Sequence, residues 1–265
     1  IDFKIIDKGE NFSSRIAAGM INPMVFRKMV KTWKGDQLIP YLNKFYPEIE
    51  AKIGNKFFFP RAIRRVFSTP EEAEMWKVRL KDKTYDEYIF TSADTPTPDN
   101  HIIEKYGSGW VKAPGYIDAS IFMDAHLAYF SQKNKLNITS FDFEKLDLSY
   151  LNYEGEKFDR IIFAEGYRAK ENPYFSYLPL KQTKGEVLTI KSNDFCKNEI
   201  LNRKCFILPL EKGNFKLGAT FAWSTTSTET TEEAKTTLLE QFKGLSNAKI
   251  EILDQEAGIR PTVSD

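Results

Sequence analysis

Hydrophobic and polar positions change rhythm along the chain, and that rhythm predicts its elements. Ile1, Phe3 and Ile5 alternate with polar residues in IDFKIID, and Gly9 allows a turn, so the chain opens on a short strand ending at an acid, Asp7. A loop and a short helix from about Ser14 follow. In GDQLIPYLNKFYPEIEAKIG, Leu38, Ile39, Leu42, Phe45, Tyr46, Ile49 and Ile53 recur at near-helical spacing, with Gly54 as the stop and Pro40 in an early turn or at a kink. FFFPRAIRRVFS reads as a strand broken at Pro60. TPEEAEMWKVRL reads as a helix, with Thr69 as N-cap, Pro70 at the first helical position and acids in the first turn.

Further on, TSADTPTPDN is a loop, YGSGWVKAPGYID is strand-like with glycine punctuation, ASIFMDAHLAYFSQKN is an amphipathic helix, and LNIT is a strand. DRIIFAEGYRAKEN carries an almost uninterrupted apolar run, Ile161 to Ala164, closing on Gly166; this predicts a strand covered on both faces of a parallel sheet. KGEVLTIK, KCFILPL and FKLGATFAW are short runs separated by turns such as EKGN, the pattern of an antiparallel sheet. Thr230 and Glu233 form a capping box for EEAKTTLLEQFKGL, which Gly244 ends. Strand-helix-strand units thus flank meander-like stretches twice. The expected class is α/β with a mixed α+β character, built as two domains threaded through each other.

Charge and composition narrow the partners. The 265 residues include 38 Lys and Arg against 37 Asp and Glu, and a net charge of +1 gives no long-range attraction for nucleic acid or an anionic membrane. Cys196 and Cys205 lie in no CxxC pattern and have no nearby His, so neither a metal site nor a disulfide framework is expected; buried thiols in a reducing cytoplasm are. No apolar run approaches the roughly 20 residues that span a bilayer, and IDFKIID is not a signal segment, so a cytoplasmic location is expected. The start lacks Met and already reads as a strand, which suggests part of a longer chain. Composition does not encode the oligomeric state.

The candidate chemistry gathers at SSRIAAGMINP, Ser13 to Pro23. An acid at the end of a second sheet strand is the usual partner of a ribose hydroxyl in a dinucleotide-binding sheet, about 20 residues beyond a glycine fingerprint, and Asp7 fits that place. Such an Asp also commonly caps a turn. Ser13 and Ser14 at a helix start offer hydroxyls and unpaired amides suited to phosphate oxygens. Ala17, Ala18 and Gly19 let backbone approach a flat ring, and Met20 can lie on it. The alternative is a capped helix start packed closely on a neighbour.

Taken with later segments, this stretch resembles the D-amino-acid-oxidase and glycine-oxidase (DAO) family of FAD-dependent oxidoreductases. Asp7 and Ser13 to Met20 match the family's strand-end acid and S/T-S-x-A-A-G-M pattern. GYIDASIFMDAHLAYF, DRIIFAEGYRA, TKGEVLTI, CFILPLEKGNFKLGATF and AGIRPTVSD follow in the family's order. The resemblance implies a discontinuous Rossmann-like FAD-binding domain over 1–56, 115–175 and 256–265, with its glycine-rich turn upstream of Ile1. It implies an antiparallel-sheet substrate domain over 57–114 and 176–255. It places Asp7, Lys8, Ser13, Ser14, Arg15, Ala18, Gly19, Met20, Ala164 and Gly166 at FAD, with Phe143 against the adenine.

The implied reaction oxidises the C–N bond of a small carboxylate-bearing amine or amino acid by hydride transfer to the flavin. Arg260, in GIRP, would clamp the substrate carboxylate with its planar fork, and Phe206 and Phe221 would wall the pocket. Phe206 stands where the family's C-Y-I-x-P strand has Tyr, keeping an apolar face and losing a hydroxyl, so substrate identity does not carry over. His101 and His126 are expected to be structural. Two alternatives stay open: a flavin-fold enzyme acting on a modified nucleoside of tRNA, which the missing basic stripe disfavours, and a non-catalytic binding protein on the same scaffold.

Overall fold

The computed structural model describes residues 1–10, 13–90, 101–112, 115–223, 225 and 227–263. The TSADTPTPDN loop lies outside them. Strand β1 (Ile5–Asp7) leads to a one-turn helix α1 (Ser13–Ile16), the short strands β2 (Met20–Ile21), β3 (Met24–Val25) and β4 (Val30–Lys31), and helix α2 (Gly35–Ile53). Gly54 ends α2 in the left-handed conformation (φ 82°), as its position predicts, while Pro40 and Pro47 both lie inside the helix. Next come β5 (Phe58–Phe59), β6 (Ala62–Val66), α3 (Pro70–Leu80), β7 (Ser108–Val111), β8 (Gly115–Ile117), α4 (Ala119–Gln132) and β9 (Leu136–Ile138). Thr69 caps α3, its hydroxyl accepting from Glu72 N.

A small meander, β10 (Leu146–Asp147), β11 (Asn152–Tyr153) and β12 (Glu156–Lys157), precedes a 3-10 turn at Gly166–Lys170. The remaining elements are β13 (Leu180–Lys191), β14 (Glu199–Asn202), β15 (Phe206–Pro209), β16 (Asn214–Gly218), β17 (Ala222–Trp223), α5 (Glu232–Lys243) and β18 (Glu251–Val263). The cap of α5 is Thr231, whose hydroxyl accepts from Ala234 N; this corrects the expected Thr230 by one residue, because the box closes on Ala234 rather than Glu233.

The large sheet has eight strands. Seven run in the order β17-β13-β16-β15-β14-β6-β7, and β18 pairs with the other side of β13. Side-chain alternation splits each strand between two cores. Leu201 on β14, Ile207 on β15 and Val66 on β6 join Leu188, Ile190, Phe215 and Leu217 under Leu238 and Phe242 of α5. Their neighbours Ile200, Leu208 and Ile63 turn to the other face and pack with Trp76 of α3, Met24, Met29 and Tyr88. β1 and β9 form a separate parallel pair, Ile5 opposite Leu136 and Asp7 opposite Ile138.

Two expectations fail here. The apolar run Ile161–Ala164 is no strand: it pairs with no described strand, and Ile162 is 86% exposed. An apolar run becomes a sheet strand only where a neighbour takes up its backbone donors and acceptors. Cys205 is buried, and burial pushes its thiol up to about 12, but Cys196 is exposed, contrary to the expectation of two buried thiols. No helix of the described residues is long and apolar enough to cross a membrane.

Candidate active site

The site grows from one face of β18. Along a strand, residues two apart share a face, so Gly258 and Arg260 point the same way while the buried Ile259 points into the sheet. Gly258 lets α1 lie directly on the strand: a Cβ there would stand 3.2 Å from the Ser13 Cα and 3.5 Å from the Ile16 side chain. Opposite Gly258 in the ladder is Gly185 of β13, and a Cβ on Gly185 would strike the Arg260 guanidinium. Two facing glycines thus leave room on one face of the ladder for both a helix start and an arginine.

Arg260 Nη2 donates to the Thr220 carbonyl at 3.0 Å, and its guanidinium carbon lies 5.1 Å from the centre of the Phe221 ring. The residue keeps solvent access, and partial desolvation pulls its pKa below the usual arginine value. None of the ion pairs formed among the described residues includes it. Phe221 is half exposed and meets Trp223 edge-on at 4.8 Å. Phe206 lies farther across the sheet, opposite Gly218, where with Ala18 and Met20 it borders the core under α3.

Around α1 the structure gathers most of the predicted cofactor residues. Asp7 ends β1, and its carboxylate Oδ1 accepts from Gly9 N at 2.7 Å, the turn-capping role. Lys8 pairs with Glu10 at 2.6 Å, and Glu10 reaches Arg168 at 3.4 Å, which ties this turn to Gly166–Lys170. Arg15 is held by Asp124 of α4 at 2.5 Å. Gly166 has φ 60° and Ala164 is exposed. Phe143 sits apart from α1 in an aromatic cluster with Phe141, Phe163 and Tyr174. His126 takes its expected structural place: its ring packs on Phe122 at 4.0 Å, and Nδ1 lies 2.7 Å from the Phe122 carbonyl.

Gly19 is required where it stands. Its φ is 65°, and a Cβ would collide with the Ile117 carbonyl of β8. Gly19→Ala should therefore cost about 1–3 kcal/mol of stability and lower the FAD content of the purified protein; unfolding curves and bound-flavin absorbance check it, and wild-type values for both would contradict the close approach.

Sequence reading missed Lys216. It lies at the middle of β16, almost fully buried, and donates to the Ile16 carbonyl at the end of α1 at 3.0 Å. Burial lowers its pKa, opposed by the charges of Glu256 and Asp118. A lone lysine between Phe215 and Leu217 in a strand covered on both faces was the available signal, since an unpaired buried ammonium is costly.

The donor set suits FAD. A strand-end carboxylate, two serines at a helix start that packs on Gly258, and a run of small residues follow one another from Asp7 to Gly19.

Comparison with known proteins agrees. A family model described as FAD dependent oxidoreductase, DAO, matches residues 4–265. Among solved structures, glycine oxidase from Geobacillus kaustophilus superposes with a TM-score of 0.74 at 20% identity, covering 98% of this chain and 76% of that one. Iminodiacetate oxidase from Chelativorans sp. BNC1 gives 0.75 at 13% identity, covering 99% and 78%. L-amino acid deaminase from Proteus myxofaciens, in complex with anthranilate, gives 0.69 at 12% identity, covering 98% and 75%. With a family model spanning almost its whole length and a fold shared with these flavoenzymes, the chain belongs to the DAO family of FAD-dependent oxidoreductases.

Proposed function

We propose that this enzyme oxidises the C–N bond of a small amine or amino acid that carries a carboxylate. The observation that carries the reading is Arg260: a solvent-accessible guanidinium that no described carboxylate neutralises, held by a carbonyl and an aromatic ring two residues along β18 from the glycine on which α1 packs. A planar fork in that setting suits the two oxygens of a substrate carboxylate. The three neighbours are named for glycine, iminodiacetate and L-amino acids, all amines with a carboxylate.

In this reading the chain divides into an FAD-binding part, 1–56, 115–175 and 256–265, and a substrate part, 57–114 and 176–255. Asp7 takes a ribose hydroxyl, Ser13 and Ser14 the diphosphate, and Lys8 and Arg15 flank them. Ala18, Gly19 and Met20 would lie against the ring system, Ala164 and Gly166 would stand beside the cofactor, and Phe143 would pack on the adenine. Bound FAD supplies a two-electron acceptor for the hydride leaving the substrate carbon. Arg260 fixes the carboxylate and thereby the direction of the C–H bond, while Phe206 and Phe221 exclude water from it. A substrate whose amine enters neutral needs no strong protein base for this transfer.

Anaerobic mixing of the holoenzyme with glycine, iminodiacetate and a panel of amino acids should bleach the flavin absorbance with at least one of them. The matching amines without a carboxylate should bleach it far more slowly. Equal rates for both sets, or bleaching only by modified tRNA, would overturn the proposal.

A further inference from the structure

Glu186 is 3% exposed, yet it lies two residues from Lys184, 5% exposed, on the same face of β13, while Gly185 between them faces Arg260. A buried pair of opposite charges is seldom a net source of stability, so its geometry calls for an account. The Glu186 carboxylate accepts from Lys184 Nζ at 2.9 Å, Thr231 N at 2.9 Å, Thr231 Oγ1 at 3.0 Å and Gln255 Nε2 at 2.8 Å. Lys184 also donates to the Glu229 carbonyl. The Glu186 main chain makes a second set of bonds, in which its N–H donates to Thr220 Oγ1 at 2.9 Å and its carbonyl accepts from Thr220 N at 3.1 Å.

One residue therefore grips the connection between β16 and α5 at two places, Thr220 by its backbone and Thr231 by its side chain. Thr220 is also the residue whose carbonyl accepts from Arg260 Nη2. Resting on the assignment of Arg260 as carboxylate clamp, we propose that Glu186 is a positioning residue, which sets the pose of the Arg260 guanidinium by fixing Thr220 and Thr231. Burial alone would raise the Glu186 pKa, but the Lys184, Thr231 and Gln255 donors outweigh it and hold the carboxyl below its usual range, so the anchor stays charged at neutral pH. Glu186→Gln keeps the shape and loses the charge, so the Lys184 ammonium must find another partner and Thr231 is held more loosely.

The test uses the holoenzyme and two probes, anthranilate and its carboxylate-free counterpart aniline, each titrated against the flavin absorption bands. Glu186→Gln should weaken anthranilate about 10-fold and leave aniline unchanged. Arg260→Gln should do the same, and the double variant should bind anthranilate no more weakly than Arg260→Gln alone. If Arg260→Gln weakens anthranilate and Glu186→Gln does not, the positioning role is wrong while the clamp stands. If Arg260→Gln changes nothing, the clamp assignment fails and takes the positioning role with it. Should Glu186→Gln fail to fold, Thr220→Ala removes the other half of the grip, the hydroxyl that accepts from the Glu186 N–H, and a wild-type anthranilate affinity there overturns the proposal. A ligand-free arm completes the test: the Glu186 and Arg260 substitutions should be sub-additive in unfolding free energy, whereas strict additivity marks Glu186 as a structural anchor only.

Discussion

Arg260→Gln should raise the KM for a carboxylate-bearing substrate by about 10- to 150-fold, the loss that follows from deleting a charge-assisted hydrogen-bonding partner worth about 1.5–3 kcal/mol. Arg260 is solvent-accessible, and among the described residues its guanidinium donates to the Thr220 carbonyl, so the fold should survive the change. Arg260→Lys restores the charge without the planar fork and should recover part of the loss. Steady-state kinetics on a carboxylate-bearing amine and on its carboxylate-free analogue decide the matter: the first should suffer and the second should not. A KM unchanged for both would remove Arg260 from the substrate pocket.

The largest expected loss of stability lies elsewhere, at Arg64. Its side chain is fully buried on β6, with Glu199 Oε1 at 3.3 Å, Glu104 Oε1 at 2.7 Å and the Trp110 ring centre 4.9 Å from its guanidinium carbon. Trp110 Nε1 donates to the other oxygen of Glu199 at 3.1 Å, so the cluster ties β6 to β7 and β14. Arg64→Met fills the volume and removes a buried cation from beside two carboxylates, which should cost about 3–5 kcal/mol. For a chain of this size that corresponds to a fall in Tm of roughly 6–20 °C. Thermal and urea unfolding measure it. The triple variant in which Glu104 and Glu199 also become Gln should recover part of the loss, because the carboxylate charges then go with the cation that faced them.

Local chemistry was legible in the sequence wherever a residue type acts on its own backbone. Thr69 and Pro70 start α3, and Gly54 stops α2, because a cap and a left-handed glycine need no distant partner. Pro60 splits β5 from β6 for the same reason. Elements that depend on a neighbour were harder to read. The run at Ile161–Ala164 has the composition of a central strand, but pairing decides strand formation, and composition does not show the partner.

Strand β18 received no element from the sequence pattern. EILDQEAGIRPTV pairs along the whole of β13, because the ladder and the two facing glycines supply what its polar sequence hides. At the site, the α1 residues and Arg260 could be picked out by pattern. Lys216 and Glu186 could not, since their significance comes from what stands opposite them in the sheet, Ile16 for one and Thr220 and Thr231 for the other.

The β13–β18 ladder has a bearing on how substrate reaches the flavin. β18 crosses from the proposed substrate part into the FAD-binding part at residues 255–256, and it pairs with β13 on both sides of that boundary, with a register shift between Thr189 and Ile190 where Leu253 is passed over. A hinge placed there would have to break β13–β18 pairs on both sides of the boundary, so the ladder opposes any swing of the two proposed parts about residues 255–256, while the exposed rings of Phe221 and Trp223 stand outside it.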